Sequence, residues 1–148
     1  MSIREQLEAD LKQAMLQRDA GRRDTLRLTL AALHNARIAA GKELDDTAAL
    51  AVLSKEAKQR RESIEEFRKG GRQDLVDKEE AELAVLSAYL PQQAERSEIA
   101  EAARRVMAEV GASGPKDIGK VMPVLMQQFR GRADGRDVNE VVRELLGS

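Results

Sequence analysis

Apolar residues recur every three or four positions along almost the whole chain, and nowhere do they alternate in the two-residue rhythm of a half-buried strand. That pattern commits the chain to helices that bury one face each. Ser2 and Glu5 form a capping box ahead of Ile3, Leu7, Leu11 and Ala14/Met15. Gly21 marks a break. The next segment carries Leu26, Leu30 and Leu33 on one face and Leu28, Ala31/Ala32 and Ile38 on another, the signature of a helix lying between others. Gly41 suits its C-terminal cap. Asp45 or Asp46 can cap a third helix, whose stripe of Leu50, Leu53, Ala57, Ile64 and Phe67 ends at Gly70-Gly71. A fourth segment with Val76, Leu83, Leu86 and Leu90 is stopped by Pro91, because proline disfavours helix in the residue before it.

The stretch from Pro91 to Arg96 reads as a linker. Beyond it Ser97 can cap a helix carrying Ile99, Ala103, Val106 and Val110. Gly111 to Gly114 interrupts the pattern, and Pro115 fits a first helical position. Ile118, Val121/Met122, Leu125 and Phe129 follow; Pro123 inside this stripe is expected to kink or divide the helix. A last helix begins near Arg136, with Val138, Val141/Val142 and Leu145 inward. The expected fold is all-α: an N-terminal helical domain of about four helices over residues 1–91, then a small three-helix C-terminal domain over residues 92–148. A domain that small buries proportionally less surface and can lean on the first domain or on a partner.

Composition narrows the function classes. Aromatics are 2% of the chain, namely Phe67, Tyr89 and Phe129, so the core is aliphatic. A net charge of −1 excludes a chain that coats nucleic acid through a general basic excess, and any RNA contact must come from local patches. The absence of cysteine removes disulfides, thiolate ligands and thiol nucleophiles together. It fits a reducing cytoplasm, the localisation expected here. No apolar run approaches the ~20 residues needed to cross a bilayer, and no signal-peptide core precedes the first helix, so no membrane partner is expected.

No catalytic apparatus is visible. His34, the single histidine, lacks a second imidazole or thiol for metal binding and reads as a helix surface residue. None of the serines sits in a Gly-x-Ser-x-Gly elbow, and Ser54 and Lys55, as helix neighbours, do not face each other. Glu62, Glu65 and Glu66, and likewise Glu79, Glu80 and Glu82, adjoin Lys or Arg at helical spacing. They read as solvated faces laced with ion pairs of ~0.3–0.5 kcal/mol each. There is no nucleotide-binding glycine loop. Gly111-Ala112-Ser113-Gly114 before a helix could cradle an anion but reads first as a linker. No catalytic residue, metal ligand or cofactor is assigned.

Three basic groups stand out: Arg18, Arg22, Arg23 and Arg27; Lys55, Lys58, Arg60 and Arg61 with Arg68, Lys69 and Arg72; and Lys116, Lys120, Arg130, Arg132 and Arg136. The first two read as surface charge balanced by nearby acids. The third has fewer close acids, and the glycines flanking Arg132 allow a ligand to approach the backbone. For it, surface charge and nucleic-acid contact stand as equal readings.

The third group surrounds Gly119-Lys120-Val121-Met122, Gly131-Arg132-Ala133-Asp134-Gly135 and Val138-Asn139. These residues resemble the C-terminal signature of the GatB/YqeY family, with Gly119, Lys120, Met122, Gly131, Ala133, Asp134, Gly135, Val138 and Asn139 at the motif positions. Leu11-Lys12-Gln13-Ala14-Met15, Leu26-Arg27-Leu28 and Tyr89-Leu90-Pro91 extend the resemblance over nearly the whole chain. The resemblance implies a YqeY-like helical protein whose C-terminal part is similar to the tail of GatB in the tRNA-dependent amidotransferase, a tail attributed to tRNA recognition. It also carries the label of a carbon–nitrogen ligase using glutamine as amide donor, a reaction for which this chain lacks the phosphotransfer and amidase domains. The expected partner is therefore tRNA, or a tRNA-synthetase or amidotransferase complex, and not DNA. The alternative is a helical protein–protein adaptor. Within the motif, Gly131 is expected to end one helix and Asp134 to cap the next with Gly135 just inside it, presenting Arg132 outward.

Overall fold

The computed structural model describes residues 1–147. Among them the chain is all-α, with no strand. Seven α-helices run in order: α1 Ile3–Leu16, α2 Ala20–Ala40, α3 Asp46–Lys69, α4 Gln73–Ser87, α5 Arg96–Val110, α6 Ile118–Gln128 and α7 Gly135–Leu146. A 3-10 turn, Pro115–Asp117, precedes α6. The chain divides into two compact units, Met1–Leu90 and Pro91 onward.

In the first unit α1 pairs with α2 and α3 with α4, and α2 touches both α3 and α4. Leu7, Leu26, Leu53 and Leu86, one from each helix, are fully buried in a shared core with Ala14 and Ala57. The small side chains let the helices approach closely, which is how an almost wholly aliphatic core fills without large rings. Tyr89 packs against this core and donates its phenol hydrogen bond to Asp10 of α1. Burial first, and that bond second, push the phenol up to about 12.

The caps follow local chemistry. Ser2 Oγ accepts from Glu5 N at 3.1 Å, and Gly41 closes α2 in the left-handed region at φ 69°. Of the two candidates before α3, Asp45 is the cap, accepting from Ala48 N at 2.8 Å, while Asp46 reaches across to Ile3 N at 3.1 Å.

Three expectations need correcting in this unit. The break between α1 and α2 falls at Gln17–Asp19, not at Gly21, which lies in the first turn of α2. Arg18 takes the left-handed conformation at φ 57°. Its N–H bonds to Met15 O and that of Asp19 to Ala14 O, the paired bonds of a Schellman motif. The second apolar face of α2 is not sandwiched: Leu28 is 57% and Ile38 64% exposed. Arg60 is not part of a solvated basic face. Its side chain is 12% exposed and Nη1 donates to Glu82 and, at 3.2 Å, to Glu79, so two of the glutamates read as solvated belong to a half-buried ionic group between α3 and α4.

The second unit wraps α5, α6 and α7 around Ile99, Val106, Val121, Leu125, Phe129, Val138 and Val142. Glu95, not Ser97, precedes α5, and Gly111 closes it at φ 71°. Pro115 opens the 3-10 turn, and Pro123 sits inside a helix that runs unbroken from Ile118 to Gln128. It is tolerated because it lies on the solvated side, where water can serve the carbonyl it leaves without a donor.

Candidate functional site

Six of the nine motif residues, Gly131, Ala133, Asp134, Gly135, Val138 and Asn139, lie in the turn that joins α6 to α7 or in the start of α7, while Gly119, Lys120 and Met122 lie in the first half of α6. α6 ends at Gln128, and Phe129 N–H caps it by bonding to Leu125 O at 2.9 Å. The chain then turns on Phe129 O, which accepts from Arg132 N at 2.8 Å and Ala133 N at 3.0 Å. Gly131 sits within this turn at φ 78°, where a side chain would be strained. It therefore shapes the connection, and the expectation that it ends the helix is corrected: α6 stops at Gln128, with Phe129 as its cap. Asp134 is the N-cap of α7, with Gly135 its first residue; Oδ1 accepts from Arg136 N at 3.4 Å. Such a cap contributes about 1 kcal/mol. Val138 is fully buried and Asn139 Oδ1 accepts from Arg143 Nε at 2.7 Å.

Arg132 does not point outward. Its guanidinium grips Glu98 of α5 with two parallel bonds of 2.9 Å, and Nε donates to Gln92 O at 3.0 Å. Its own carbonyl accepts from Ala94 N at 2.8 Å, and the guanidinium carbon lies 5.9 Å from the Phe129 ring centre. One side chain thus ties the segment before α5 to the α6–α7 turn. The pairing, first through the hydrogen bonds, holds the Glu98 carboxyl below its usual range. Replacing Arg132 by Gln is therefore expected to lower the melting temperature of the full chain more than the same change at Arg136. The Arg136 side chain is 79% exposed and among the described residues pairs with Glu140 alone, at 3.9 Å. Equal melting temperatures for the two variants would show that the Arg132 clip is dispensable.

The other basic residues of the group divide. Lys120, 62% exposed, reaches Asp117 at 3.5 Å. Asp117 is committed elsewhere, its Oδ2 accepting from Ser113 N at 3.0 Å; that bond, ahead of others, lowers its pKa. Lys116 and Arg130 are exposed and lie in no ion pair among the described residues. Acids are thus closer to this group than its sequence indicated: three of its five cations have a carboxylate neighbour.

What remains open is the outer side of α6. From Ile118 to Ala133 the chain has no carboxylate. Helical spacing puts Lys116, Lys120, Val124 and Gln127 on one face. Gly119 lies beside them, exposed, and a Cβ built there meets nothing within 4 Å. Internal packing does not require this glycine, although glycine inside a helix costs roughly 0.5–1 kcal/mol relative to alanine. Its carbonyl also lacks the usual donor four residues on, because that residue is Pro123.

The first unit holds concavities of its own. One of about 410 Å³ is lined by Arg4, Glu8, His34, Arg37 and Glu43, but these groups satisfy one another through Arg4–Glu8, Arg4–Glu43 and Arg37–Glu43 pairs. Among the described residues, no cluster of three or more His, Asp or Glu is placed to hold a metal ion, and no helix is long and apolar enough to cross a membrane.

A two-unit all-helical chain with this α6–α7 turn matches a known class. The family described as Yqey-like protein matches residues 4–146. The chain belongs to the YqeY-like family. Among its curated relatives is "Altered inheritance of mitochondria protein 41, mitochondrial" of Pyrenophora tritici-repentis, 36% identical over 146 residues, or 96% of this chain and 80% of that protein. The protein of the same name from Lachancea thermotolerans is 40% identical over 112 residues, covering 74% of this chain and 60% of the relative. That from Eremothecium gossypii is 45% identical over 85 residues, covering 57% and 46%. The match thus spans from about half to four fifths of these relatives. Each relative is named as mitochondrial, which overturns the expectation of a plainly cytoplasmic protein.

Proposed function

We propose that this chain is an RNA-binding accessory protein that holds tRNA against the outer face of α6. The observation that supports this most is the carboxylate-free run from Ile118 to Ala133, whose exposed side carries Lys120 and Arg130, with Lys116 just before it and the uncrowded Gly119 between the lysines. Lys116 and Arg130 meet phosphates without a competing ion pair among the described residues, Lys120 does so in exchange for its exposed contact with Asp117, and a helical glycine lets a sugar–phosphate backbone come close. The family resemblance to the amidotransferase tail directs the choice of RNA towards tRNA. Arg132 and Arg136 contribute little in this reading, the first because Glu98 holds it and the second because Glu140 adjoins it.

Binding through three cations is weak and strongly salt-dependent, since each neutralised phosphate releases counterions. The test is a tRNA titration of the full chain at several salt concentrations. The triple variant Lys116→Gln, Lys120→Gln and Arg130→Gln is expected to keep the parental melting temperature. Its plot of log affinity against log salt should flatten by roughly three units of slope. A triple variant that binds tRNA with the parental affinity and slope would end this reading.

A second reading, a protein–protein adaptor without RNA contact, draws on the exposed apolar residues of the first unit: Leu16, Leu28 and Ile38 at 70%, 57% and 64% exposure. It is separated from the first by which variants matter. An adaptor loses its partner with Leu28→Gln and Ile38→Gln and is indifferent to the α6 lysines.

A further inference from the structure

The turn between α1 and α2 contains a feature that the fold alone disfavours. In a Schellman motif the residue in the left-handed conformation is ordinarily glycine, because any side chain is strained there. Here it is Arg18, at φ 57°. Strain of this kind persists where the residue has another role. The strained backbone puts Arg18 at a concavity of about 210 Å³ lined by Ala14, Met15, Arg18, Asp19, Arg23 and Arg27.

Three arginines therefore line one small space together with one acidic residue, Asp19. Asp19, the one carboxylate among the lining residues, is the N-cap of α2, with Oδ1 taken by Arg22 N at 3.1 Å. Asp24 engages Arg23 only through Nε, at 2.9 Å, leaving the terminal amino groups of that arginine uncommitted. Arg27 donates weakly from Nη2 to the Met15 sulfur at 4.0 Å and lies close enough to Asp24 to help hold its carboxyl below the usual range, and neither Arg27 nor Arg18 forms a direct ion pair among the described residues. Three arginines against the two carboxylates Asp19 and Asp24 leave an excess of positive charge that favours a bound anion, and guanidinium forks match the oxygens of a phosphoryl group. The space is smaller than the ~300–1,000 Å³ pockets that enclose whole small molecules, so it admits one phosphoryl group and leaves the rest of the ligand outside.

We propose that Arg18, Arg23 and Arg27 form a phosphoryl-binding site on the first unit, distinct from the α6 face. The shared chemistry is a phosphate monoester or diester, from either a free phosphorylated small molecule or an RNA backbone.

The test sets two effects of one substitution against each other. Arg18→Gly relieves the backbone strain, so the full chain should melt at a higher temperature. The same change should weaken pyrophosphate binding about tenfold or more, the loss expected for a charge-assisted contact. Arg27→Gln should weaken pyrophosphate similarly with no gain in melting temperature. Binding is read from the arginine Nε resonances of Arg18, Arg23 and Arg27. Pyrophosphate and adenosine diphosphate are titrated in one arm and a short RNA oligonucleotide in the other, with sodium chloride at equal ionic strength as control. Tighter binding of the small phosphates, or displacement of pyrophosphate by RNA, identifies the source, and either result upholds the site. Chloride producing the same shifts, unchanged pyrophosphate affinity in Arg18→Gly, or a lowered melting temperature in that variant would each overturn it. Because the readout and the substitutions involve none of Lys116, Lys120 and Arg130, failure here leaves the α6 reading intact.

Discussion

Arg60→Ala should remove about 2–3 kcal/mol from the stability of the first unit, somewhat below the ~3–5 kcal/mol typical of breaking a fully buried ion pair by deleting one partner, because this group is half-buried. Arg60, Glu79 and Glu82 are only 12%, 21% and 17% exposed. Taking away the guanidinium leaves two carboxylates from α4 facing each other in a poorly solvated seam, with no cation between them. Against a total stability of about 5–15 kcal/mol, that loss is large. It can be read in urea with the fluorescence of Tyr89, the only tyrosine in a chain without tryptophan, whose ring packs on the same core.

The companion experiment separates the pair's net worth from the penalty of breaking it. The Nε of Arg60 is buried without a hydrogen-bond partner, so the group is incompletely satisfied even when intact. Replacing all three together, Arg60→Met with Glu79→Gln and Glu82→Leu, should recover most of what Arg60→Ala loses, because apolar contacts substitute for ions whose burial is itself costly. A single variant losing under about 1 kcal/mol would place Arg60 among ordinary surface pairs and sink this account.

Arg60 also shows where sequence reading ends. The helical period of Leu7, Leu26, Leu53 and Leu86 is visible because one face of each helix must be apolar, and the period survives in the order of residues. Caps at Ser2, Gly41 and Asp134, and the choice of Asp45 or Asp46 before α3, are visible for a similar reason: their chemistry acts within four residues. Arg60 meets its glutamates 19 and 22 residues away and Arg132 meets Glu98 at 34, so nothing local distinguishes either from a solvated arginine. The α2 stripe of Leu28 and Ile38 fails differently. An apolar face in sequence says that burial would be favourable, not that this chain supplies the cover. The motif around Gly131 was legible as a turn, but its arginine was legible only as a charge, and charge alone does not say whether the partner is RNA or Glu98.

Phe129→Ala is expected to be the most damaging single change in the second unit, at about 3–5 kcal/mol for loss of a buried aromatic side chain. Phe129 is 4% exposed, packs with Leu125, Val138 and Val142, and lies under the Arg132 guanidinium. Its carbonyl is also the pivot of the α6–α7 turn. Truncation therefore opens a cavity and loosens the Arg132 clip together, in a unit whose small core has little stability to spare. Methyl resonances of Val138 and Val142 should collapse toward unfolded positions at temperatures where the parent is folded. Phe129→Leu separates the two contributions, since it refills much of the cavity and removes only the aromatic face under Arg132. A smaller loss in Phe129→Leu with the Arg132–Glu98 bonds intact would assign the main cost to packing. A loss equal to that of Phe129→Ala would assign it to the ring beneath the guanidinium. If Phe129→Ala leaves the methyl spectrum native, the turn is held by its hydrogen bonds alone and the core described for this unit is wrong.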